Sequence, residues 1–186
     1  MIKKVILAVF VVAIVFNGCK KEQKDAKNDV QKTQRNNKEF QLTTIDGDII
    51  TIQAKNNGFV IKGDEDKIVI FDIFATWCPP CRAEAVVLSS LEKKYKNKLE
   101  VIGITVESVI SNEKLKEFAR KYHANYILVN SQENRNLINA INKNLQVGER
   151  FGIPLMAMYK DGKLINYYQG STEEEFIQSD IKKVLK

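Results

Sequence analysis

The sequence predicts an α/β domain with a central mixed sheet flanked by helices and with an N-terminal β-hairpin extension. Apolar strand patterns alternate with amphipathic helix patterns between residues 68 and 145, which is typical of parallel strands joined by crossover helices. Two Asp-Gly pairs, Asp46-Gly47 and Asp161-Gly162, each separate two apolar runs and indicate antiparallel hairpins. Residues 68–74 are apolar on both faces except at Asp72, as expected for a covered central strand.

The first elements are predicted to be the hairpin, the central strand, a helix and a second parallel strand. The hairpin strands cover residues 40–42 and 49–52. A helix over residues 83–95 is followed at once by a strand over residues 99–106, so this strand should pair parallel to the central strand. The apolar stripe of the helix consists of Val87, Leu88, Leu91 and Tyr95.

The remaining elements continue the alternation and end in a second hairpin and a helix. They are a helix over residues 113–122, a strand over 126–129, a helix over 134–145, hairpin strands over 155–159 and 164–168, and a helix over 171–185. The last helix is predicted to begin with a capping box. In it the Ser171 hydroxyl accepts from the N3 amide, and the Glu174 carboxylate accepts from the cap amide.

A Cys-x-x-Cys pair stands where the central strand leads into the first helix. The stretch reads Trp77-Cys78-Pro79-Pro80-Cys81-Arg82. One helical turn brings the two sulfurs close enough to form a disulfide, and the helix N-terminus favours a thiolate at Cys78. Cys78 is expected to face solvent, and Cys81 to lie deeper, where it can attack a mixed disulfide. The pattern therefore predicts thiol–disulfide exchange.

Two other uses of this cysteine pair fit the sequence less well. A structural zinc site needs four ligands, and the chain has three cysteines and one histidine, His123. A static disulfide is the second alternative, but so short a loop constrains the unfolded chain least. We therefore expect no metal and no other cofactor.

The first nineteen residues have the pattern of an export signal. Lys3 and Lys4 precede an apolar run over residues 5–16, which is too short to cross a membrane comfortably. Gly18 and Cys19 follow, and this signal resembles that of a bacterial lipoprotein, in which the cysteine is lipidated and becomes the mature N-terminus. The alternative is ordinary signal cleavage nearby, which would leave Cys19 free or remove it.

Residues 19–38 are predicted to form a lipid-anchored, disordered tether, because this polar stretch cannot bury a core. Removing residues 1–18 takes away Lys3 and Lys4, so the formal net charge falls from +6 to +4. This charge is small and scattered, and it predicts no nucleic-acid partner. Residues 39–186 are the length of one domain.

The domain resembles thioredoxin and, more narrowly, the exported, membrane-tethered TlpA/ResA-like thiol–disulfide reductases. Residues 74–84, residues 151–154 with the sequence Gly-Ile-Pro at their end, and residues 160–163 carry this resemblance. It extends from about Phe40 to the end of the chain. The resemblance implies a thioredoxin-like fold in which Cys78 attacks and Cys81 resolves.

The resemblance also assigns roles to two acids. Asp72 matches the buried acid of thioredoxin that takes the proton of the resolving cysteine, although it could instead be a solvent-paired residue at a strand end. Glu84 matches the glutamate that tunes the couple in TlpA/ResA-like proteins, although it could instead be an ordinary first-turn glutamate. Which acid handles the proton stays open.

Substrate contacts are expected around the couple. Pro154 matches the cis-proline that faces the disulfide in this fold, where it exposes the backbone of Ile153 for pairing with an extended substrate. The alternative is a trans proline at a strand start. Trp77 is expected to contact substrate, with a core position as the alternative, and Pro79 and Pro80 complete the predicted substrate surface.

The resemblance implies a reductase of exported proteins with cysteine pairs, apocytochrome c among them, which a membrane thiol-reducing partner would re-reduce. The protein would then be an exported lipoprotein held at the membrane by its N-terminal lipid. One alternative is a disulfide oxidase or isomerase. Another is a redox-sensing lipoprotein that binds a partner without turnover.

Overall fold

The computed structural model describes residues 38–148 and 150–186. The predicted signal over residues 1–18, the lipidation site Cys19 and all of the tether but its last residue lie outside the described residues. The elements described are β1 (Glu39–Thr43), β2 (Ile49–Lys55), β3 (Gly58–Ile61), β4 (Ile68–Phe74), α1 (Pro79–Lys94), β5 (Leu99–Thr105), α2 (Asn112–Tyr122), β6 (Ile127–Val129), α3 (Asn134–Leu145), β7 (Leu155–Lys160), β8 (Lys163–Gln169) and α4 (Glu174–Val184).

A five-stranded mixed sheet with the order β6-β5-β4-β7-β8 forms the centre of the domain. All seven residues of β4 are buried, and this strand runs parallel to β5 and antiparallel to β7. Phe74 at the end of β4 pairs with Thr105 at the end of β5, while Ile73 pairs with Leu155 at the start of β7. The loops that follow β4 and β5 and the loop that precedes β7 therefore meet at one edge of the sheet. The predicted mixed sheet is confirmed.

The N-terminal hairpin is part of a three-stranded antiparallel sheet with the order β1-β2-β3. The sequence prediction missed β3, which has only four residues, although the two-residue turn before it, Asn56-Asn57 with positive φ at both positions, is typical of hairpins. Phe59 of β3 packs edge-on against Phe71 and Tyr159, with ring centroids 6.1 and 5.3 Å apart. The small sheet thus covers one face of the central sheet.

Helices cover the rest of both faces, as predicted. The core on one side includes the inward residues of α1, α2 and α4, among them Leu88, Phe118 and Ile177. The core on the other side joins α3, through Leu137 and Ile141, to the three-stranded sheet. The cysteine pair lies in the first of these cores, at the N-terminal end of α1.

Two predicted helix starts are wrong. Helix α1 begins at Pro79 rather than at residue 83, because proline is well suited to the first helical position, where no amide partner is needed. Helix α4 begins at Glu174 rather than at residue 171, and the predicted capping box does not form. Its N-cap is Glu173, whose side chain makes no capping hydrogen bond. The amide of the preceding residue, Thr172, donates to Glu84.

Candidate active site

Cys78 is the N-cap residue of α1, and its sulfur accepts a hydrogen bond from the Cys81 amide at 3.3 Å. Pro79 and Pro80 occupy the first two helical positions and have no N–H group. The Cys81 amide is therefore the first helical N–H that can stabilise negative charge on the Cys78 sulfur. The local sequence of residues 78–81 is enough to explain why the Cys78 sulfur accepts from the Cys81 amide.

Cys78 and Cys81 form a disulfide, as the spacing of the pair predicts. Both residues are buried, at 3 % and 1 % exposure, so the expectation that Cys78 faces solvent is wrong for the oxidised protein. The physical reason is the packing of the Cys78 sulfur against the Ile153 carbonyl oxygen at 3.8 Å. The exposed surface at the couple belongs to Trp77, which is 62 % exposed, and to Pro79.

The Ile153–Pro154 peptide bond is cis, as predicted, and it lies directly before β7. The Pro154 carbonyl accepts from the Gly170 amide at 2.8 Å, which ties this loop to the end of β8. The loop thereby places the backbone of Ile153 beside the disulfide. Trp77, which is mostly exposed, is not the core aromatic that we considered as the alternative.

Asp72 lies in the middle of β4 and is 1 % exposed, which excludes the alternative of a solvent-paired residue at a strand end. The Tyr126 hydroxyl donates to its Oδ2 atom at 2.9 Å, while Oδ1 has no hydrogen-bond partner among the described residues. Burial raises the pKa of Asp72 from its ordinary value of 3.8 to about 7, although the hydrogen bond from Tyr126 opposes this rise.

Glu84 lies on the same helix as Cys81, three residues further on, and is 3 % exposed. It accepts from the Thr172 amide at 3.4 Å through Oε2, and Oε1 has no partner among the described residues. Burial, and then the charge of Asp72, raise the pKa of Glu84 to about 7, whereas the Thr172 amide lowers it. Glu84 is therefore not an ordinary surface glutamate of a first helical turn.

The sequence predictions missed a set of polar contacts that holds Thr76, two residues before Cys78. The Glu107 carboxylate accepts from the Thr76 amide at 2.7 Å and from its hydroxyl at 3.1 Å. The Arg82 Nε donates to the Thr76 carbonyl at 2.9 Å, and its guanidinium lies 5.1 Å from the centroid of the Tyr122 ring. We call Thr76, Arg82 and Glu107 the Thr76 clamp.

The Thr76 clamp joins helix α1 to the loop that precedes the couple. Arg82, in the first turn of α1, binds this loop. Glu107 follows the carboxyl end of β5, which pairs with β4, and residues at this edge of parallel strands commonly build sites. The position of Glu107 after β5 could therefore have indicated that Glu107 belongs to the site, whereas no local sequence pattern indicates its contact with Thr76.

No three His, Cys, Asp or Glu side chains within residues 38–148 and 150–186 are grouped so that they could hold a metal ion. In the same part of the chain, no helix has the length and apolar character needed to cross a membrane. The chemistry that the described site offers is that of two sulfurs, two buried carboxylates and the backbone of Ile153 beside them.

Comparisons with known proteins identify the family of this chain. The Redoxin family model matches residues 51–185. Thioredoxin-like protein YneN of Bacillus subtilis is 34 % identical over 85 residues, which are 45 % of this chain and 45 % of that protein. Thiol-disulfide oxidoreductase ResA of Bacillus cereus is 27 % identical over 129 residues, which are 67 % of each chain. The chain thus spans less than half of YneN and about two thirds of ResA.

Solved structures show the same fold. A thiol:disulfide interchange protein of the thioredoxin family from Chlorobium tepidum has a TM-score of 0.64 at 22 % identity, over 80 % of this chain and 94 % of that chain. A secreted disulfide oxidoreductase of Mycobacterium tuberculosis has a TM-score of 0.55 at 17 % identity, over 77 % and 95 %. The fold, the cysteine couple and the matching family model together establish that this chain belongs to the Redoxin family and that its described domain is a thiol–disulfide oxidoreductase of the thioredoxin fold.

Proposed function

We propose that this protein reduces disulfides of exported proteins by dithiol exchange through Cys78 and Cys81. One observation carries the proposal: the Cys78 sulfur is at a helix N-cap and 3.8 Å from the Ile153 carbonyl, beside a cis proline. A substrate chain in extended form can pair with the backbone of Ile153 and so bring its own disulfide to Cys78. Trp77 and Pro79, both exposed, would contact the same chain.

The reaction takes two steps and transfers two electrons. In the first step the Cys78 thiolate attacks one sulfur of the substrate disulfide, a mixed disulfide forms, and the other substrate sulfur leaves as a thiolate. In the second step the Cys81 thiol loses its proton and attacks the Cys78 sulfur. The Cys78–Cys81 disulfide forms, the mixed disulfide breaks, and the second substrate thiolate is released.

The second step needs a base, because Cys81 is buried at 1 % exposure and has poor access to water. Asp72 and Glu84 are the two buried carboxyls of the site, and their pKa values near 7 suit them to exchange a proton at neutral pH. We assign the proton of Cys81 to Asp72 and a tuning role to Glu84. The charge of Asp72 raises the pKa of Glu84, so ionisation of one acid disfavours ionisation of the other.

Two features of the site favour the reducing direction over the oxidising one. Pro79 and Pro80 remove two amides that would otherwise stabilise a thiolate at the N-terminus of α1. The buried carboxyls Asp72 and Glu84 disfavour a further negative charge nearby. Both features weaken stabilisation of the reduced couple, and strong oxidants of this type depend on a stabilised reduced form.

The cellular setting proposed here follows from the N-terminal sequence. An export signal over residues 1–18, a lipid on Cys19 and a tether would hold the domain on the outer face of a membrane. A thiol-reducing partner in that membrane would return the couple to its dithiol form. Apocytochrome c, with its pair of cysteines, is a candidate substrate among exported proteins.

Trapping of mixed disulfides tests this function. Cys81→Ser in cells should accumulate disulfide-linked adducts of Cys78 with several exported proteins, which reductant releases. Cys78→Ser is the matched control and should form none of these adducts. A single trapped partner would favour a redox sensor. Net transfer of the Cys78–Cys81 disulfide from the unsubstituted protein to reduced substrate thiols would favour an oxidase or isomerase.

A further inference from the structure

A buried tyrosine contacts the buried acid of the site. Tyr126 lies directly before β6, is 8 % exposed, and donates its hydroxyl hydrogen bond to Asp72 Oδ2 at 2.9 Å. Burial, and then the charge of Asp72, raise the pKa of Tyr126 well above its ordinary value, so the hydroxyl stays a donor across the working range of pH. Neither of the two exchange steps described above assigns a role to this tyrosine.

The hydrogen bond makes the two oxygens of Asp72 unequal. Oδ2 is engaged by Tyr126, while Oδ1 is buried and has no hydrogen-bond partner among the described residues. A hydrogen bond from a neutral donor stabilises the charged carboxylate and lowers its pKa. Tyr126 thus opposes the effect of burial on Asp72 and leaves Oδ1 as the oxygen able to take a proton.

The other groups that face Asp72 give no competing stabilisation. Glu84 on α1 is an acid, and Glu92, two turns further along the same helix, is a second acid whose charge also acts on Tyr126. In this core α2 contributes the apolar residues Leu115 and Phe118, and α4 contributes Ile177 and Ile181. The third buried residue of α4, Asp180, is an acid that accepts hydrogen bonds from Asn166, Tyr168 and Lys183. No ion pair in the described part of the chain includes Asp72.

We propose that Tyr126 is a positioning residue of the exchange reaction: it fixes Asp72 through Oδ2 and stabilises its charged form, so that Oδ1 takes the proton of Cys81. This inference rests on the proposed function, in which Asp72 is the base of the second step. In that step the Cys81 S–H bond breaks and the proton moves to Oδ1. The Cys81 sulfur then bonds to Cys78, the mixed disulfide breaks, and the substrate sulfur leaves as a thiolate with the electron pair of that bond.

Tyr126→Phe tests the proposal because it removes only the hydroxyl. Without this donor the pKa of Asp72 rises, and a hydrogen bond to a charged group is worth about one pH unit or more. The midpoint of the second step should therefore move to higher pH by about one unit. At pH 6 the step should be about tenfold slower than in the unsubstituted protein, and by about pH 9 the two rates should nearly converge.

Dithionitrobenzoate is a suitable probe, because its first thionitrobenzoate is released when the mixed disulfide forms and its second when Cys81 attacks. Stopped-flow absorbance of the full reduced chain from pH 5 to 9 gives both rates. Tyr159→Phe is the matched control: it removes another buried hydroxyl, which donates to Asn144 at 2.8 Å in the opposite core layer. This control should leave the midpoint unchanged.

A second variant tests the same point with the tyrosine ring retained. Site-specific 3-fluorotyrosine at position 126 is a stronger donor and should move the midpoint to lower pH. A carbon-13 NMR titration of the Asp72 carboxyl in the oxidised protein should show shifts of the same signs, independently of the kinetics. If Tyr126 only fills space in the core, neither the midpoint of the second step nor the NMR titration of Asp72 should shift.

The outcomes separate this inference from the proposed function. In an Asp72→Asn background, Tyr126→Phe should change neither step further. An unmoved midpoint in Tyr126→Phe overturns the role of Tyr126 and leaves Asp72 as the base. An equal shift in the Asp72→Asn background overturns both roles, because the group that titrates is then not Asp72. A second step that Asp72→Asn leaves unchanged and Glu84→Gln slows overturns the role of Asp72 as well.

Discussion

Replacing Asp72 by asparagine should stabilise the oxidised protein at alkaline pH. The pKa of Asp72 in the folded state is about 7, against an ordinary value of 3.8, so the folded state holds this proton more tightly than the unfolded state. The contribution of the protonated Asp72 carboxyl to the free energy of unfolding is fully present below pH 4 and is lost as pH rises through 7. Its complete loss lowers the free energy of unfolding by about 4 kcal/mol.

Asparagine removes this loss but introduces a cost of its own. Its amide oxygen can still accept from Tyr126, while its buried N–H₂ group lacks an acceptor, which costs about 1–3 kcal/mol. We therefore expect Asp72→Asn to raise the free energy of unfolding by about 2 kcal/mol at pH 8 and to lower it by about 1–3 kcal/mol at pH 4. The sign of the effect should invert between the two pH values.

Guanidinium unfolding of the oxidised protein at both pH values measures this inversion. Asp180→Asn is the control, because burial raises the pKa of Asp180 but hydrogen bonds from Lys183, Tyr168 and Asn166 outweigh it and lower that pKa to about 2. The charged Asp180 carboxylate stabilises the folded state at pH values above its ordinary pKa of 3.8. Asp180→Asn should therefore be less stable than the unsubstituted protein at pH 8. Equal destabilisation by Asp72→Asn at pH 4 and pH 8 would refute a buried carboxyl with a raised pKa.

Three further predictions concern the couple and its anchor. Thr76→Val should slow mixed-disulfide formation about fivefold, because it breaks the 3.1 Å hydrogen bond from the Thr76 hydroxyl to Glu107. Thr76→Ser keeps the hydroxyl and should retain the rate. If stopped-flow measurements give Thr76→Val the same rate as the unsubstituted protein, the clamp has no role in this step. Limited iodoacetamide treatment of the reduced domain should label Cys78 before Cys81, since Cys78 is at the helix N-cap; the reverse order in peptide mass spectra would exchange their roles. Mass spectrometry of the mature chain should find a diacylglyceryl group on Cys19, and a mature N-terminus beyond it would remove the lipid anchor from the account.

The sequence predicted the elements whose signals are local. The bounds of α3 agree with the apolar spacing of residues 134–145, and β4 agrees with the run that precedes the cysteine pair. The cis bond before Pro154 was predicted from the Gly-Ile-Pro context, which resembles the thioredoxin pattern. In each case neighbouring residues, or a motif of a few residues, carried the information.

Contacts between distant parts of the chain were not predictable in the same way. Tyr126 and Asp72 are 54 residues apart, and Glu107 and Thr76 are 31 apart. Strand β5 pairs with both β4 and β6, which brings these groups together, and no local pattern records which polar atoms then meet. The capping box was predicted from a local pattern, but α4 begins three residues later, with Glu173 as its N-cap.

The reduction potential of the Cys78–Cys81 couple tests the central claim most directly. It can be measured by equilibrating the protein with thiol–disulfide buffers of known potential and following the fluorescence of Trp77, the single tryptophan of the chain. A thiolate that only one early helical amide can stabilise predicts a reducing couple, with a potential of about −270 mV or lower. A potential of about −120 mV would contradict the account and identify an oxidant.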